Sequence, residues 1–274
     1  MQQNSPTATI HALASWWEEM GVAVDHGEIQ ALLKAASPAA SPSATSDQAA
    51  TKPATPAKRR RRAGAKSVAE WVAEATALAA AADSAEALKR AVEGFDGSPL
   101  KPLCEKTVVF DGVPGAPVMV IGEGPGGQED RTGLPFVGKA GQLLDKMLAA
   151  ISLDRKTNTF ITNVNYWRPP GNRNPEADEL AVCRPFVDRL IDLTQPKIML
   201  AMGGVAAKTL LDTKTGIMRL RGNETVFTTP GGTSVPVTPM FHPAYLLRRG
   251  ADKSRAWRDL LLAQTRLEEM GISL

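Results

Sequence analysis

Four short stretches carry residue types that could do chemistry. Gly122-Glu123-Gly124-Pro125-Gly126-Gly127 is a glycine-rich loop with a carboxylate inside it, and Glu129 follows at close range. Asn163 ends a β-branched, apolar run, and His242 stands in Phe241-His242-Pro243-Ala244. The loop satisfies G-x-G-x-x-G, so one reading is a pyrophosphate cradle and the other a tight turn without a ligand. Three features argue against the cradle. Pro125 removes a backbone N–H that a phosphate would use. Residues 129–133 are polar and read as a turn, where a dinucleotide site needs a helix to open. Asp145, about 20 residues on, falls in a helical pattern and not at the end of a second strand. His242 is one of three histidines; His11 and His26 lie in the N-terminal stretch and read as surface residues.

Strands and helices must alternate to bring these stretches together. Residues 117–121, 159–164 and 197–202 are short apolar runs that read as buried strands, and 236–240 is a short extended piece. Helical spacing appears over 142–151, 175–193, 205–211 and 254–270. Alternation of this kind implies a three-layer α/β/α fold, with helices on both faces of a mostly parallel, four-stranded sheet. Ligands of such sheets sit at the carboxyl ends of the strands. Glu123, Asn163, Gly203 and His242 all fall just beyond predicted strand ends.

The N-terminal third differs. Residues 1–35 suggest a short helical segment, with Leu13, Trp16, Trp17, Met20 and Val22 partly at helical spacing. Residues 36–66 are rich in Ala, Ser, Pro and Thr and carry the run Lys58-Arg59-Arg60-Arg61-Arg62, a composition expected of a disordered linker. Ser67, three residues before Glu70, fits a capping box that opens a helical lead-in over 67–94, with a restart at Ser84. The α/β domain spans 95–274. The chain has 274 residues, a formal net charge of +3 and a pI near 8.9, which permits a nucleic-acid partner without requiring one. No run of 18 apolar residues suggests a membrane span, and the N-terminus lacks the pattern of a secretory signal. Two cysteines, Cys104 and Cys183, read as reduced thiols of a cytoplasmic protein.

Read at full length, the loop changes meaning. Gly122-Glu123-Gly124-Pro125-Gly126, Glu129-Asp130, Gly133, Pro135-Phe136-Val137-Gly138 and Ala140-Gly141 resemble the long first motif of family 4 uracil-DNA glycosylases. Thr162-Asn163-Val164 with Arg168-Pro169-Pro170-Gly171-Asn172-Arg173 resembles that family's central segment, and Phe241-His242-Pro243-Ala244 its late histidine loop. The resemblance covers roughly residues 95–265. It implies an enzyme that hydrolyses the N-glycosidic bond of uracil in DNA and leaves an abasic site, after extruding the base into a pocket.

The resemblance also implies roles. His242 donates to the uracil carbonyl oxygen as charge builds there. Asn163 reads the uracil edge, because an amide offers a donor and an acceptor side by side. Phe136 stacks on the base, and backbone N–H groups around Gly122 and Gly124 contact uracil or an adjacent phosphate. Family 1 relatives carry a water-orienting aspartate where this chain has Gly124. Glu123 or Glu129 is then the candidate to support water or the sugar cation. Pro243, Ala244 and the following residues form the expected DNA-engaging loop, with Arg248 and Arg249 on phosphates. Lys58 to Arg62 adds salt-sensitive DNA affinity.

Family 4 enzymes typically hold a four-iron four-sulfur cluster on four cysteines. Phe95 and Ser98 stand at the first pair, Trp167 at the third position, and only Cys183 matches; Cys104 is out of register. Too few thiolates remain to hold such a cluster. The expectation is therefore no cofactor and no metal, with Trp167 filling the space. Asn165-Tyr166-Trp167-Arg168 gives no support for the histidine-bearing loop of covalently reacting relatives. The expected partner is uracil-containing DNA, the expected state a monomer. The alternative is a catalytically silent DNA- or uracil-binding member of the superfamily.

Overall fold

The computed structural model describes residues 66–272. The expected helical segment at 1–35, the linker and the basic run Lys58 to Arg62 lie outside the described residues.

Ser67 opens the folded unit. Its hydroxyl accepts from the Glu70 N–H at 3.2 Å, while the Glu70 carboxylate accepts from the Ser67 N–H at 2.5 Å. This reciprocal capping box satisfies two N–H groups that the helix start would leave unpaired. It begins α1 (Val68–Ala81), and Ser84 caps α2 (Ala85–Gly94) through the Ala87 N–H. Both starts and the break between them are those the sequence predicts. The remaining helices are α3 (Gly127–Thr132), α4 (Lys139–Ala149), α5 (Ala177–Thr194), α6 (Gly204–Leu211), α7 (Ile217–Leu220), α8 (Pro243–Arg248) and α9 (Lys253–Glu269).

The strands are β1 (Phe110–Gly112), β2 (Val118–Gly122), β3 (Thr159–Asn163), β4 (Ile198–Met202), β5 (Thr225–Thr228) and β6 (Ser234–Met240). They form one mixed sheet in the order β1-β3-β2-β4-β6-β5. The four central strands are parallel and are the four expected ones. The expectation of a four-stranded sheet is corrected to six, because β1 joins β3 and β5 joins β6 as antiparallel edges. Every residue of β2, β3 and β4 is buried. The runs of β2 and β4 are apolar and do not alternate, because a parallel sheet is covered on both faces; β3 also buries Thr159, Thr162 and Asn163. On one face Leu88, Val92, Phe95, Trp167, Phe186 and Ile191 join Met119, Ile121 and Phe160 in a single core.

Two local expectations are corrected. Residues 129–133, read as a turn, fall instead in α3 and its cap at Gly133. Its polar sequence has no apolar stripe, and it is held instead by Glu129 at its N-terminus and by Gly133 in the left-handed region (φ 80°) at its end. The stretch after His242, read as a loop, is the short helix α8, with Pro243 at its first turn where the missing N–H costs nothing.

The register sets the site. Gly122 pairs with Asn163 at the ends of β2 and β3, and the Val164 N–H continues the ladder to the Gly122 carbonyl at 2.9 Å. Gly203 follows β4 and its N–H donates to the Met240 carbonyl at 2.8 Å, one turn of chain before His242. All four expected strand-end positions thus lie at the carboxyl ends of the central parallel strands.

Candidate active site

A cavity of about 380 Å³ opens at these strand ends. Glu123, Gly124, Glu129, Phe136, Asn163 and His242 line it, together with Ala244 and Arg248, which were expected on the DNA-engaging loop. Pro125, Ala140, Tyr245 and a rim of Pro169 and residues 172–175 line it as well, and were not anticipated as pocket residues. Three expected residues stand elsewhere. Gly122 lies behind Phe136 and Asn163, Pro243 is buried in the first turn of α8, and Arg249 is exposed beyond the lining.

Asn163 is 2% exposed and its Oδ1 has no hydrogen-bond partner. Leaving a buried acceptor unmade costs about 1–3 kcal/mol, so folded chains seldom do it without a reason. The side chain stands at the cavity wall, where a ligand can supply the missing donor.

His242 caps α8. Its Nδ1 accepts from the Ala244 N–H at 3.1 Å, which places the ring proton of the neutral form on Nε2. Burial, with the Arg248 charge adding to it, holds the imidazole pKa down to about 4. At neutral pH this ring is therefore an uncharged N–H donor. Behind it Phe241 stacks on Tyr245 at 5.0 Å, and the Arg221 guanidinium lies 5.0 Å over the Phe241 ring, itself paired with buried Asp259 at 2.7 Å. Gly203 (φ 93°) lets the chain pass close: a Cβ there would sit 3.0 Å from that of His242.

Phe136 presents a ring nearly parallel to the imidazole, at 5.6 Å and 27°. Its backbone is left-handed (φ 54°), a conformation that L-residues other than glycine rarely adopt.

The two acidic candidates separate cleanly. Glu129 accepts from Gly126 N at 3.1 Å, Val137 N at 3.0 Å and Gly138 N at 2.8 Å. Its carboxylate thus ties the glycine loop to the Phe136 segment, and it takes up the Gly126 N–H at the N-cap of α3. A helix does open there, contrary to the expectation of a turn, but its N-terminus already carries the Glu129 carboxylate where a pyrophosphate would sit. Glu123 accepts no hydrogen bond and forms no ion pair among the described residues, and burial raises its pKa.

Residues 110–262 match the uracil DNA glycosylase superfamily. A type-4 uracil-DNA glycosylase of Sulfurisphaera tokodaii is 37% identical over 169 residues, covering 60% of this chain and 76% of that protein. Those of Thermotoga maritima (36% identical, 62% and 86% covered) and Pyrobaculum aerophilum (33%, 65% and 91%) agree. The chain belongs to the type-4 uracil-DNA glycosylases.

Within that family the cluster positions of this chain are unusual. The ring of Phe95 packs against Trp167 at 6.4 Å, Phe186 at 5.3 Å and Trp71 at 5.7 Å. Trp167 is fully buried and its indole N–H donates to Thr107 Oγ1 at 3.1 Å. Cys183 is fully buried, and burial pushes its thiol up to about 12, far from the thiolate a metal needs. Cys104 is bonded to the Arg168 backbone N–H at 3.1 Å. Among the described residues no group of three or more His, Cys, Asp or Glu side chains could hold a metal ion. The residues present do not fit a four-iron cluster.

Gly122 has a steric role in this type-4 site. A Cβ built there would run into the Phe136 ring and Asn163 Oδ1, closer than real Cβ contacts come. Gly122→Ala is expected to lower kcat/KM for uracil release at least about tenfold by displacing both pocket walls, since a misplacement of about 1 Å can cost on that order or more. Steady-state rates on a single-uracil oligonucleotide check this, with circular dichroism to verify the fold.

Proposed function

We propose that this chain excises uracil from DNA, breaking the bond between uracil N1 and the sugar C1′ to release free uracil and leave an abasic site. The observation that carries this reading is the buried, unpartnered Asn163 Oδ1 at the wall of a cavity of about 380 Å³. Uracil N3–H supplies the missing donor, and its O4 accepts from the Asn163 amide N–H. Cytosine presents an acceptor at N3 and donors at N4, so it would leave both partners unmet.

His242 Nε2–H donates to a uracil carbonyl oxygen as the leaving base gathers negative charge. A neutral donor in a dry pocket stabilises that charge without needing to reorganise. Phe136 stacks on the extruded base. The sugar develops positive charge, and Glu123, rather than the fully bonded Glu129, supports that charge or the incoming water. Ala244, Arg248 and Arg249 meet the DNA backbone at the mouth, with Pro243 setting the turn that presents them.

Incubating the purified protein with uracil-containing oligonucleotides and then cleaving abasic sites with alkali tests the reading. Cleavage at uracil alone is expected. A folded protein that leaves U·G, U·A and single-stranded uracil intact would favour a silent binding member instead.

The chain acts without an iron–sulfur cluster, the packing of Phe95 and Trp167 holding together what the cluster holds in relatives. Purified protein is expected to be colourless and free of stoichiometric iron; a brown protein with about four irons per chain would contradict this. No helix among the described residues is long and apolar enough to cross a membrane. We place the enzyme in the cytoplasm as a monomer, in keeping with its two unpaired cysteines, Cys104 and Cys183.

A further inference from the structure

The left-handed backbone of Phe136 needs an explanation that the pocket itself does not supply. A non-glycine residue in this region is strained, and such strain persists only where surrounding bonds over-determine it. Those bonds come from Arg155, in the turn between α4 and β3 and absent from the cavity lining.

Every guanidinium N–H of Arg155 has an acceptor. Nη2 donates to the Phe136 carbonyl at 2.8 Å and Nη1 to the Pro135 carbonyl at 3.2 Å. Nη1 also reaches Asp111 Oδ2 at 2.9 Å, and Nε and Nη2 reach Asp145 Oδ1 at 2.9 and 2.6 Å. These contacts use all five donors of a planar, rigid group. The side chain is 14% exposed, so the bonds form largely out of water. The opposite side of the Phe136 peptide rests on Gly141, where a Cβ would overlap the Phe136 carbonyl. The peptide is therefore gripped between a charged fork and a bare glycine backbone. Any return of Phe136 to the right-handed region would swing its carbonyl off Arg155.

We propose that Arg155 is a positioning residue for uracil recognition: it locks the Pro135–Phe136 backbone in its left-handed form, so that the Phe136 ring stays aimed at the base and parallel to His242. This rests on the reading of the cavity as a uracil pocket. The two acidic partners, Asp111 on β1 and Asp145 on α4, fix the fork to the sheet edge and to the helix that follows the loop. Lysine keeps the charge between these carboxylates but cannot hold both carbonyls.

The test compares wild type with Arg155→Lys and Arg155→Met, the lysine variant guarding against simple loss of fold. Three quantities are read below the melting midpoint: inhibition by free uracil, affinity for abasic-site DNA that lacks a base, and the nuclear Overhauser contact between the Phe136 and His242 rings. Free-uracil inhibition is expected to weaken about tenfold, since stacking on an aromatic ring is worth about that much or more. Abasic-DNA affinity should stay within about twofold, and the ring–ring contact should fade. A merely structural role would lower the melting midpoint and leave uracil inhibition and the ring contact of the folded fraction unchanged; that result would overturn the proposal. If wild-type protein neither cleaves uracil DNA nor binds uracil, the pocket reading fails, and the ring contact alone still decides whether Arg155 positions Phe136.

Discussion

His242→Ala is expected to lower kcat for uracil release by about 10²- to 10³-fold, the usual effect of removing one donor aimed at developing charge. DNA affinity should change little. Nδ1 is held by the Ala244 N–H at 3.1 Å, so the neutral ring's proton sits on Nε2 and is free for the base. Loss of the cap also costs about 1 kcal/mol of stability, so rates must be compared well below the melting midpoint.

The same ring sets a pH expectation. Its pKa is held down to about 4, mainly by burial, against an unfolded value near 6.5. The native state therefore binds fewer protons than the unfolded state between these values. Stability from this group is fully present above about pH 6.5 and is lost as pH falls toward 4. Activity should show no inflection near pH 6.5 from His242. An acid limb should instead follow the raised pKa of Glu123 and disappear in Glu123→Gln, if its carboxylate supports the sugar cation. A rate that climbs as pH falls through 6.5 would mean that a charged imidazole does the work.

Asn163→Ala is expected to lower kcat/KM by about 10²-fold or more, because both hydrogen bonds that read the uracil edge vanish together. The effect on stability should run the other way. With the pocket empty, Oδ1 is buried and unsatisfied, a cost of about 1–3 kcal/mol that alanine removes. A melting midpoint unchanged or raised by a few degrees, alongside a crippled rate, marks a side chain kept for its ligand. A large fall in the midpoint would mark Asn163 as a structural residue.

Much of this site is legible in the sequence. The buried strands end at Gly122, Asn163, Met202 and Met240, and their apolar runs stop where the chemistry begins. Ser67 and Ser84 announce their helices through hydroxyl caps, a signal that is local by nature. The parts that escaped depend on distant partners. The edge strands Phe110–Gly112 and Thr225–Thr228 have three and four residues, too few to show a period, and neighbouring strands define them. The helix at Gly127–Thr132 has no apolar face and exists because Glu129 closes its first turn. Arg155 is invisible in the sequence for the same reason: its acceptors lie 10, 19, 20 and 44 residues away.

The central claim is that the orphaned amide of Asn163 and the Nε2 proton of His242 meet the two polar edges of one uracil. A crystal structure of the protein soaked with free uracil tests this most directly. The account predicts the base in the cavity, its N3–H and O4 paired with the Asn163 side chain, a carbonyl oxygen on His242 Nε2, and its face against Phe136. Uracil bound elsewhere, or in the cavity with Asn163 Oδ1 still unpaired, would contradict it.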